Sequence, residues 1–502
     1  MAKILFVYPN REGYSIIPIA FSLLSAILKK EGHQVDLFDI TFMVENTDHK
    51  ARTAIKSVQK VDDTEKYWKN RSGFNITEEL KKKLRDYNPD LVAFTIVENN
   101  YGCARDMFKI IKSVKDVPIL VGGMFPTVAP EYFLKDENVD FICLGEGEIT
   151  VVEIMRRIDS GKDFFEIPNC ISIMRVGKNN IIKTPFAIID TRNDIEGAPG
   201  WKQSKGPTAP YYRWDPNVIQ DWTIFDPRHL HKPFMGKMHK TGYFEMSRGC
   251  LFKCAYCNNA GMQQLSKSWG IEENYNRDKP IPHVMEEISF LKKEYDLDLI
   301  FFNDENFLQI SHERLEEFCK AYKKEIDIPF FVQTTAQTLQ REEKTRLLKE
   351  AGCITIGVGV EHGNYELRSK MLNKLTPDST IERAIANCNK YGIRSTAFIM
   401  LGIPGETEET IMETVSFCKK IKAPSVTVSI FAPYHGTPLR DLCIQEGYIE
   451  DRYYEEIGLN FRSVLNTPQL SSAKLEELYY KFIDLVYQDN LERNVELENC
   501  VI

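Results

Sequence analysis

Cys250, Cys254 and Cys257 fall within eight positions of each other, in the run Ser247-Arg248-Gly249-Cys250-Leu251-Phe252-Lys253-Cys254-Ala255-Tyr256-Cys257. With three and then two residues between them, their sulfurs can point into one small volume. Thiolates that close are metal ligands, because soft sulfur holds zinc or an iron–sulfur cluster. A structural zinc site is normally closed by four protein ligands. A [4Fe–4S] cluster on three cysteines keeps one iron open. His229, His231 and His239 lie upstream and could in principle complete a zinc site.

Other groups sit where strands are expected to end. Asn303-Asp304-Glu305-Asn306-Phe307 offers carboxylates to an ammonium. The plainer alternative is an acidic pair that is solvated or caps the next helix. Gly357-Val358-Gly359-Val360-Glu361-His362-Gly363 and Gly402-Ile403-Pro404-Gly405-Glu406-Thr407 are glycine-rich ends of the same kind. Glycine lets backbone approach a ligand closely, and proline stiffens the turn. His362, His435 and Tyr434 can move protons, although the commoner role of such residues is structural. Nearer the N-terminus, Val121-Gly122-Gly123-Met124-Phe125-Pro126-Thr127 and Leu144-Gly145-Glu146-Gly147-Glu148 each follow an expected strand. Thr95 and the loop from Pro9 face the same crevice.

These groups need a frame, and the sequence supplies two. Strands are expected at Lys3–Tyr8, Gln34–Phe38, Leu91–Ile96, Pro118–Val121 and Phe141–Leu144. Helices are expected at Ile19–Lys30, Ala104–Val114 and Thr150–Ile158. Such alternation predicts a parallel, doubly wound (Rossmann-like) α/β sheet with ligands beyond its strand C-termini. Residues 41–85 read as an insertion with some helix. A second alternation has strands at Gly242–Met246, Leu299–Asn303, Phe330–Thr334, Ile354–Val360, Ser395–Leu401 and Ser425–Phe431. The helices between them are Pro282–Tyr295, His312–Lys324, Glu343–Ala351, Ser379–Tyr391 and Glu408–Ile421. That pattern predicts an open, partial (β/α)6 TIM-type barrel. A proline-rich stretch with Trp201, Trp214 and Trp222 reads as an ordered linker between the two. The expected divisions are 1–190, 191–241, 242–445 and a helical C-terminal region, 446–502, clearest at Ala473–Tyr487.

Composition narrows the function. The 502 residues are 43% hydrophobic and 27% charged, which excludes general disorder and fibrous repeats. A net charge of −8 with mixed signs gives no basic footprint for nucleic acid. The longest apolar run, Ile16–Leu28, is too short to span a bilayer. The N-terminus reads directly as a strand, so no signal peptide and a cytoplasmic location are expected. The remaining nine cysteines, Cys500 among them, are scattered and read mostly as small buried apolar residues.

The Cys-x3-Cys-x2-Cys spacing after the first barrel strand, with Tyr256 before the last cysteine and Arg248-Gly249 before the first, resembles the radical SAM superfamily. The resemblance implies a [4Fe–4S] cluster on Cys250, Cys254 and Cys257. Its open iron would bind S-adenosylmethionine (SAM) and generate a 5′-deoxyadenosyl radical. It implies SAM contacts from Tyr256, Asp304, Glu305, Glu361, Gly402, Pro404 and Gly405. An electron donor such as flavodoxin or ferredoxin is implied as partner, and neither nucleic acid nor membrane. The sheet domain in front is similar to the cobalamin-binding subclass. There Pro9, Thr95, Gly122, Gly123, Thr127, Gly145, Glu146 and Gly147 would hold cobalamin. The Asp-x-His-x-x-Gly pattern of mutase-type domains is missing, and Pro9-Asn10-Arg11-Glu12-Gly13-Tyr14 has no histidine. Cobalamin bound without a histidine from this loop is therefore expected. The implied function is methylation of an unactivated carbon of a small molecule, with Tyr434 as a candidate catalytic or wall residue. The alternatives are a cobalamin-dependent cyclase or rearrangement enzyme, and a sensor whose cysteines hold zinc or a redox cluster.

Overall fold

The computed structural model describes residues 1–11, 16–43, 67, 74–164, 167, 169–176, 179–183, 188–190, 214–269, 275–455, 457 and 461–488. Glu12-Gly13-Tyr14, most of the 41–85 insertion, the linker through residue 213 with Trp201, and Cys500 lie outside them.

The first sheet holds β1 (Lys3–Tyr8), β2 (Gln34–Asp39), β3 (Leu91–Thr95), β4 (Ile119–Gly122) and β5 (Phe141–Cys143) in the order β2-β1-β3-β4-β5, all parallel. The central residues of β1, and β3 up to Phe94, are buried on both faces, as a helix-covered parallel sheet requires. The chain turns to opposite sides after β1 and after β3, which opens a crevice at the strand C-termini. The sheet then continues through β6 (Cys170–Val176), β7 (Asn179–Lys183) and β8 (Ile188–Asp190) as an antiparallel meander. The sequence pattern did not predict this extension. Its strands carry no long apolar run.

The second sheet is curled, in the order β17-β16-β15-β14-β13-β10-β9. Six parallel strands form the partial barrel: β10 (Lys237–Phe244), β13 (Leu299–Phe302), β14 (Phe330–Thr335), β15 (Cys353–Glu361), β16 (Arg394–Leu401) and β17 (Ser425–Ile430). The first strand starts earlier than Gly242. Residues assigned to the linker form its first half and pair antiparallel with β9 (His231–Phe234) through a turn at Met235-Gly236. Both turn residues have positive φ, 48° and 78°. A small ribbon, β11 (Ser247–Arg248) with β12 (Arg277–Asp278), flanks the cysteine loop.

The end of the linker fastens the two units together. The helix Ile19–Lys30 is apolar on most of its circumference, so it needs cover on two sides. One side packs on the first sheet. On the other, Ser22 donates to Gln220 Oε1 (2.7 Å) and Ser25 donates to Asp221 (2.5 Å). Trp222 then packs against Phe244 and Tyr295 of the barrel, with ring centroids 5.7 and 5.3 Å away. A second seam runs past Gly436. A Cβ on Gly261 would lie 1.9 Å from Gly436 O, and one on Gly436 would lie 2.6 Å from Val128 Cβ. The helix Ser472–Tyr487, capped by Ser471, covers β17 and the helix Glu408–Ile421.

Candidate functional site

The cysteine loop hangs from β10 and is held by side chains from several other elements. Gly249 has φ +90°, and a Cβ there would meet Tyr275 O at 2.6 Å, so the turn into Cys250 requires glycine. Gln263 donates to Cys250 O (2.6 Å) and Phe252 O (3.1 Å). Gln309 donates to Gly249 O (2.6 Å) and accepts from Leu251 N (3.1 Å). Asn373 donates to Lys253 O (2.7 Å), and Asn258 donates to His435 O (2.9 Å). Cys257 stands at the N-cap of the helix Asn258–Ser268.

The three thiols are free and only partly buried; Cys254 and Cys257 both raise Cys250, and Cys257 raises Cys254. Burial is the main cause that raises all three, Cys250 to about 11. Metal binding must therefore displace protons from them. Among the described residues, the only His/Cys/Asp/Glu trio with ligand atoms within 4.8 Å of one another is His312, Glu316 and Glu343. The three sulfurs are thus not all within 4.8 Å of one another, a looser spacing than one tetrahedral zinc ion with Zn–S of ~2.3 Å imposes. They suit a cluster of several irons. The upstream histidines are committed elsewhere: His229 to Asp39 (2.5 Å) and His239 to Asp298 (3.2 Å). The His231 ring lies tilted against Tyr67, with centroids 4.9 Å apart.

The acidic motif after β13 divides its work. Asp304 is fully buried and accepts from Met246 N (3.1 Å) and Ser247 Oγ (2.6 Å). Burial, partly offset by these bonds, raises its pKa to about 7. Its oxygens are spent on the chain that leads into the cysteine loop. Glu305 instead faces a cavity and accepts from Gly249 N (3.2 Å). At the end of β15 the register against β16 shifts between Gly359 and Glu361, and Glu361 has φ +70°. This bulge re-aims its carboxylate. Lys374 donates to it (3.0 Å), and Tyr256 bonds to it as well. Burial and that carboxylate hold the Tyr256 phenol well above its ordinary range.

His362 is wholly buried, 2.8 Å from Glu406, whose other oxygen accepts from Gly402 N. It bolts the β15 end to the Gly402-Ile403-Pro404-Gly405 turn. Gly402 (φ +81°) backs onto Leu475 of the C-terminal helix, and Gly405 (φ +80°) onto Leu367. His435 is a strut between the two sheets' loops. Its Nδ1 lies 2.6 Å from Glu98, its N–H donates to the same carboxylate (2.8 Å), and its Nε2 lies 3.2 Å from Tyr132. Tyr434 and Tyr256 both pack against a small apolar cluster, and neither lines the cavity.

That cavity, of about 350 Å³, is where both units meet. Its floor is apolar, with Phe6, Ile19, Phe21, Leu24 and Val151. Its sheet-side rim contains Thr95, Gly122, Gly123, Thr127, Gly145, Glu146 and Gly147, as the sequence placed them; Pro9 is buried and does not line it. Gly123 (φ +102°) sits so close to Ile96 that a Cβ would lie 2.8 Å from its carbonyl oxygen. Thr127 Oγ1 donates to Gly123 O (2.7 Å) and accepts from Gly145 N (2.9 Å), tying the two glycine turns together. The result is a small-residue ledge over an apolar floor, which fits a flat macrocycle resting against backbone. The opposite wall comes from the barrel: Glu245, Arg248, Gly249, Trp269, Tyr275, Arg277 and Glu305.

Ion pairs that sequence reasoning missed cross between the walls. Arg248 donates to Glu148 (2.7 Å) and Arg277 pairs with Glu146, while on its own wall Arg248 also donates to Glu245 (2.8 Å). Trp214, the described member of the linker's first tryptophans, lies beside both guanidiniums and donates to Glu245 (3.2 Å). Charges 100 or more residues apart in sequence leave no local signal of their pairing. The sequence did quote Arg248 and Glu148, but only as neighbours of other motifs.

Residues 244–418 match the radical SAM superfamily, and residues 11–155 match the B12 binding domain. A cytidylyl-2-hydroxyethylphosphonate methyltransferase of Streptomyces wedmorensis is 22% identical over 484 residues, 93% of this chain and 85% of that protein. An anaerobic magnesium-protoporphyrin IX monomethyl ester cyclase of Rubrivivax gelatinosus is 25% identical over 73% of this chain, which spans 60% of its length. The fold resembles that of the radical S-adenosylmethionine methyltransferase TsrM from Kitasatospora setae, solved with tryptophan and a SAM analogue. The TM-score is 0.62 at 19% identity, covering 88% of this chain and 77% of that one. The expected cofactors, a [4Fe–4S] cluster, SAM and cobalamin, go with the two domains. Among the described residues, no helix is long and apolar enough to cross a membrane.

Proposed function

We propose that this chain, which carries a radical SAM domain behind a B12-binding domain, methylates an unactivated carbon of a small molecule held between the two. The observation that carries this reading is the single cavity with the glycine ledge of the sheet on one side and the cysteine-loop neighbours Gly249 and Glu305 on the other. When bound, the cluster and SAM supply a 5′-deoxyadenosyl radical for hydrogen abstraction, and methylcobalamin supplies the methyl group.

The chain's own residues position and shield. Cys250, Cys254 and Cys257 are the cluster ligands, on a loop fixed by Gln263, Gln309 and Asn373. Glu305, Glu361 and the Gly402-Pro404-Gly405 turn form the SAM side. Asp304 supports that side through Met246 and Ser247. Tyr434 is a supporting residue, packed with Tyr256 against one apolar cluster outside the cavity. Thr127 keeps the two ledge turns at one spacing. The apolar floor excludes water from beneath the ledge. Among the described residues lining the cavity none is a histidine, which supports cobalamin held without an imidazole ligand. An electron carrier such as flavodoxin or ferredoxin supplies the reducing equivalent.

The test is product analysis with purified, cluster-reconstituted protein, hydroxocobalamin, SAM and a strong reductant under nitrogen. 5′-Deoxyadenosine together with S-adenosylhomocysteine and methylcobalamin supports methylation. 5′-Deoxyadenosine alone supports the second reading, a cyclase, which the likeness to the Rubrivivax gelatinosus protein favours. Neither product from fully loaded protein overturns both and favours a sensor.

A further inference from the structure

Asn169, on the cavity wall, has a buried side-chain oxygen with no hydrogen-bond partner among the described residues. Asn169 lies at the start of β6, beside the end of β5, where Leu144 N donates to its backbone carbonyl (2.8 Å). The residue is 7% exposed and lines the cavity. Its Oδ1 is buried and accepts no hydrogen bond. Leaving such an acceptor unsatisfied costs about 1–3 kcal/mol.

Backbone conformation does not account for the side chain. Asn169 has φ +57°, which asparagine tolerates, but glycine adopts that region more freely and leaves no orphan oxygen. The neighbouring polar groups are already engaged. Thr127 is spent on Gly123 and Gly145, Glu146 on Arg277, and Glu148 on Arg248. Cys143 Sγ donates to Glu146 O (3.6 Å). A ligand that completes Asn169 must bring an N–H or O–H donor. The apolar surroundings, Leu24, Leu144 and Val151 on the same wall, favour a neutral donor over a cation.

We propose that Asn169 is a positioning residue for the corrin: its side-chain oxygen accepts a hydrogen bond from a peripheral carboxamide of cobalamin. A neutral macrocycle rimmed with primary amides meets both requirements, an apolar face for the floor and an N–H for the orphan. The assignment rests on the reading of this cavity as the cobalamin site.

The experiment titrates the full-length protein with hydroxocobalamin and reads binding by absorbance of the protein-bound fraction. Asn169→Gly keeps the backbone conformation and removes the acceptor. It is expected to weaken binding about tenfold while the thermal midpoint of the cobalamin-free protein holds or rises, since the orphan acceptor is gone. Asn169→Asp keeps an acceptor oxygen and is expected to bind more tightly than Asn169→Gly. The same titrations are repeated with base-hydrolysed cobalamin, in which peripheral carboxamides have become carboxylates. The parent chain is expected to prefer the amide form, and Asn169→Gly to lose most of that preference. Parental affinity in Asn169→Gly, or a full amide preference retained by it, overturns the assignment and leaves the cofactor reading standing. A parent chain that binds no cobalamin at all overturns the cofactor reading and the assignment with it.

Discussion

The two walls of the cavity are made of different material. On the sheet side the surface is ledge backbone: Gly122, Gly123, Gly145 and Gly147, tied by one threonine hydroxyl. On the barrel side it is side chain: Arg248, Arg277, Glu245 and Glu305, with Arg248 paired to Glu245 and Arg277 reaching Glu146 on the opposite rim. A backbone wall fixes position through main chain, and at Gly123 it leaves no room for an added atom. A side-chain wall carries charge, and each member depends on its partners staying ionised. The first suits a large neutral ligand resting in van der Waals contact. The second suits a place where charged groups must be held still next to a redox centre.

The strongest way to separate the walls is to remove the proposed cluster ligands. Replacing Cys250, Cys254 or Cys257 with Ala should abolish cluster assembly, read as iron content, and lower 5′-deoxyadenosine formation at least a hundredfold. Cobalamin binding should persist, because the ledge shares none of these side chains. Loss of both together would mean that the walls are not independent.

Gly123→Ala attacks the other wall. Its Cβ would meet Ile96 N and O at 2.9 and 2.8 Å, on a backbone that L residues rarely adopt. Destabilisation of about 2–4 kcal/mol is expected from strain and overpacking together. Urea unfolding checks it, and cluster content should stay at the parental level in the folded fraction.

Arg248→Met sharpens the contrast through pH. It leaves Glu148 and Glu245 without their shared cation, at a cost of about 3 kcal/mol near neutral pH. Burial already raises the Glu148 pKa, so its proton is favoured in the fold. A raised folded pKa stabilises at low pH and loses that contribution as pH rises. The deficit of the variant should therefore shrink from pH 7.5 to pH 5.5, measured as the shift in urea midpoint.

The smallest effect concerns Asp304, raised by burial to about 7. Its contribution is complete below the ordinary carboxylate range and is lost as pH climbs through about 7. The parent should lose about 2 kcal/mol of stability between pH 5 and pH 8 relative to Asp304→Asn, for which that slope is absent. Parallel pH profiles for the two proteins would remove Asp304 from this role.

Much of this was legible in sequence where one pattern governs one element. β1, the helix Ile19–Lys30 and the helix Glu408–Ile421 have the bounds that hydrophobic periodicity predicts. The barrel strands shift by one or two residues at most, apart from β10. There the first half alternates Lys237, His239 and the like, half-buried beside β9, so no apolar run marks it. The ledge glycines were visible because their turns follow apolar strands directly. Arg277 and Asn169 were not, because their meaning lies in partners, or a missing partner, supplied by tertiary structure. His362 and His435 were singled out for their position, and the structure gives each a buried carboxylate neighbour, Glu406 and Glu98.

The seam at Gly436 leaves no slack between the units, since neither it nor Gly261 can carry even a methyl group without a collision. The width of the gap beyond that seam is therefore set by interlocked main chain, as the jaws of a fixed caliper are. A molecule entering between the walls is measured for thickness before any of its bonds is tested. Its reach along the slot, unlike its thickness, is left to the polar groups at the rim.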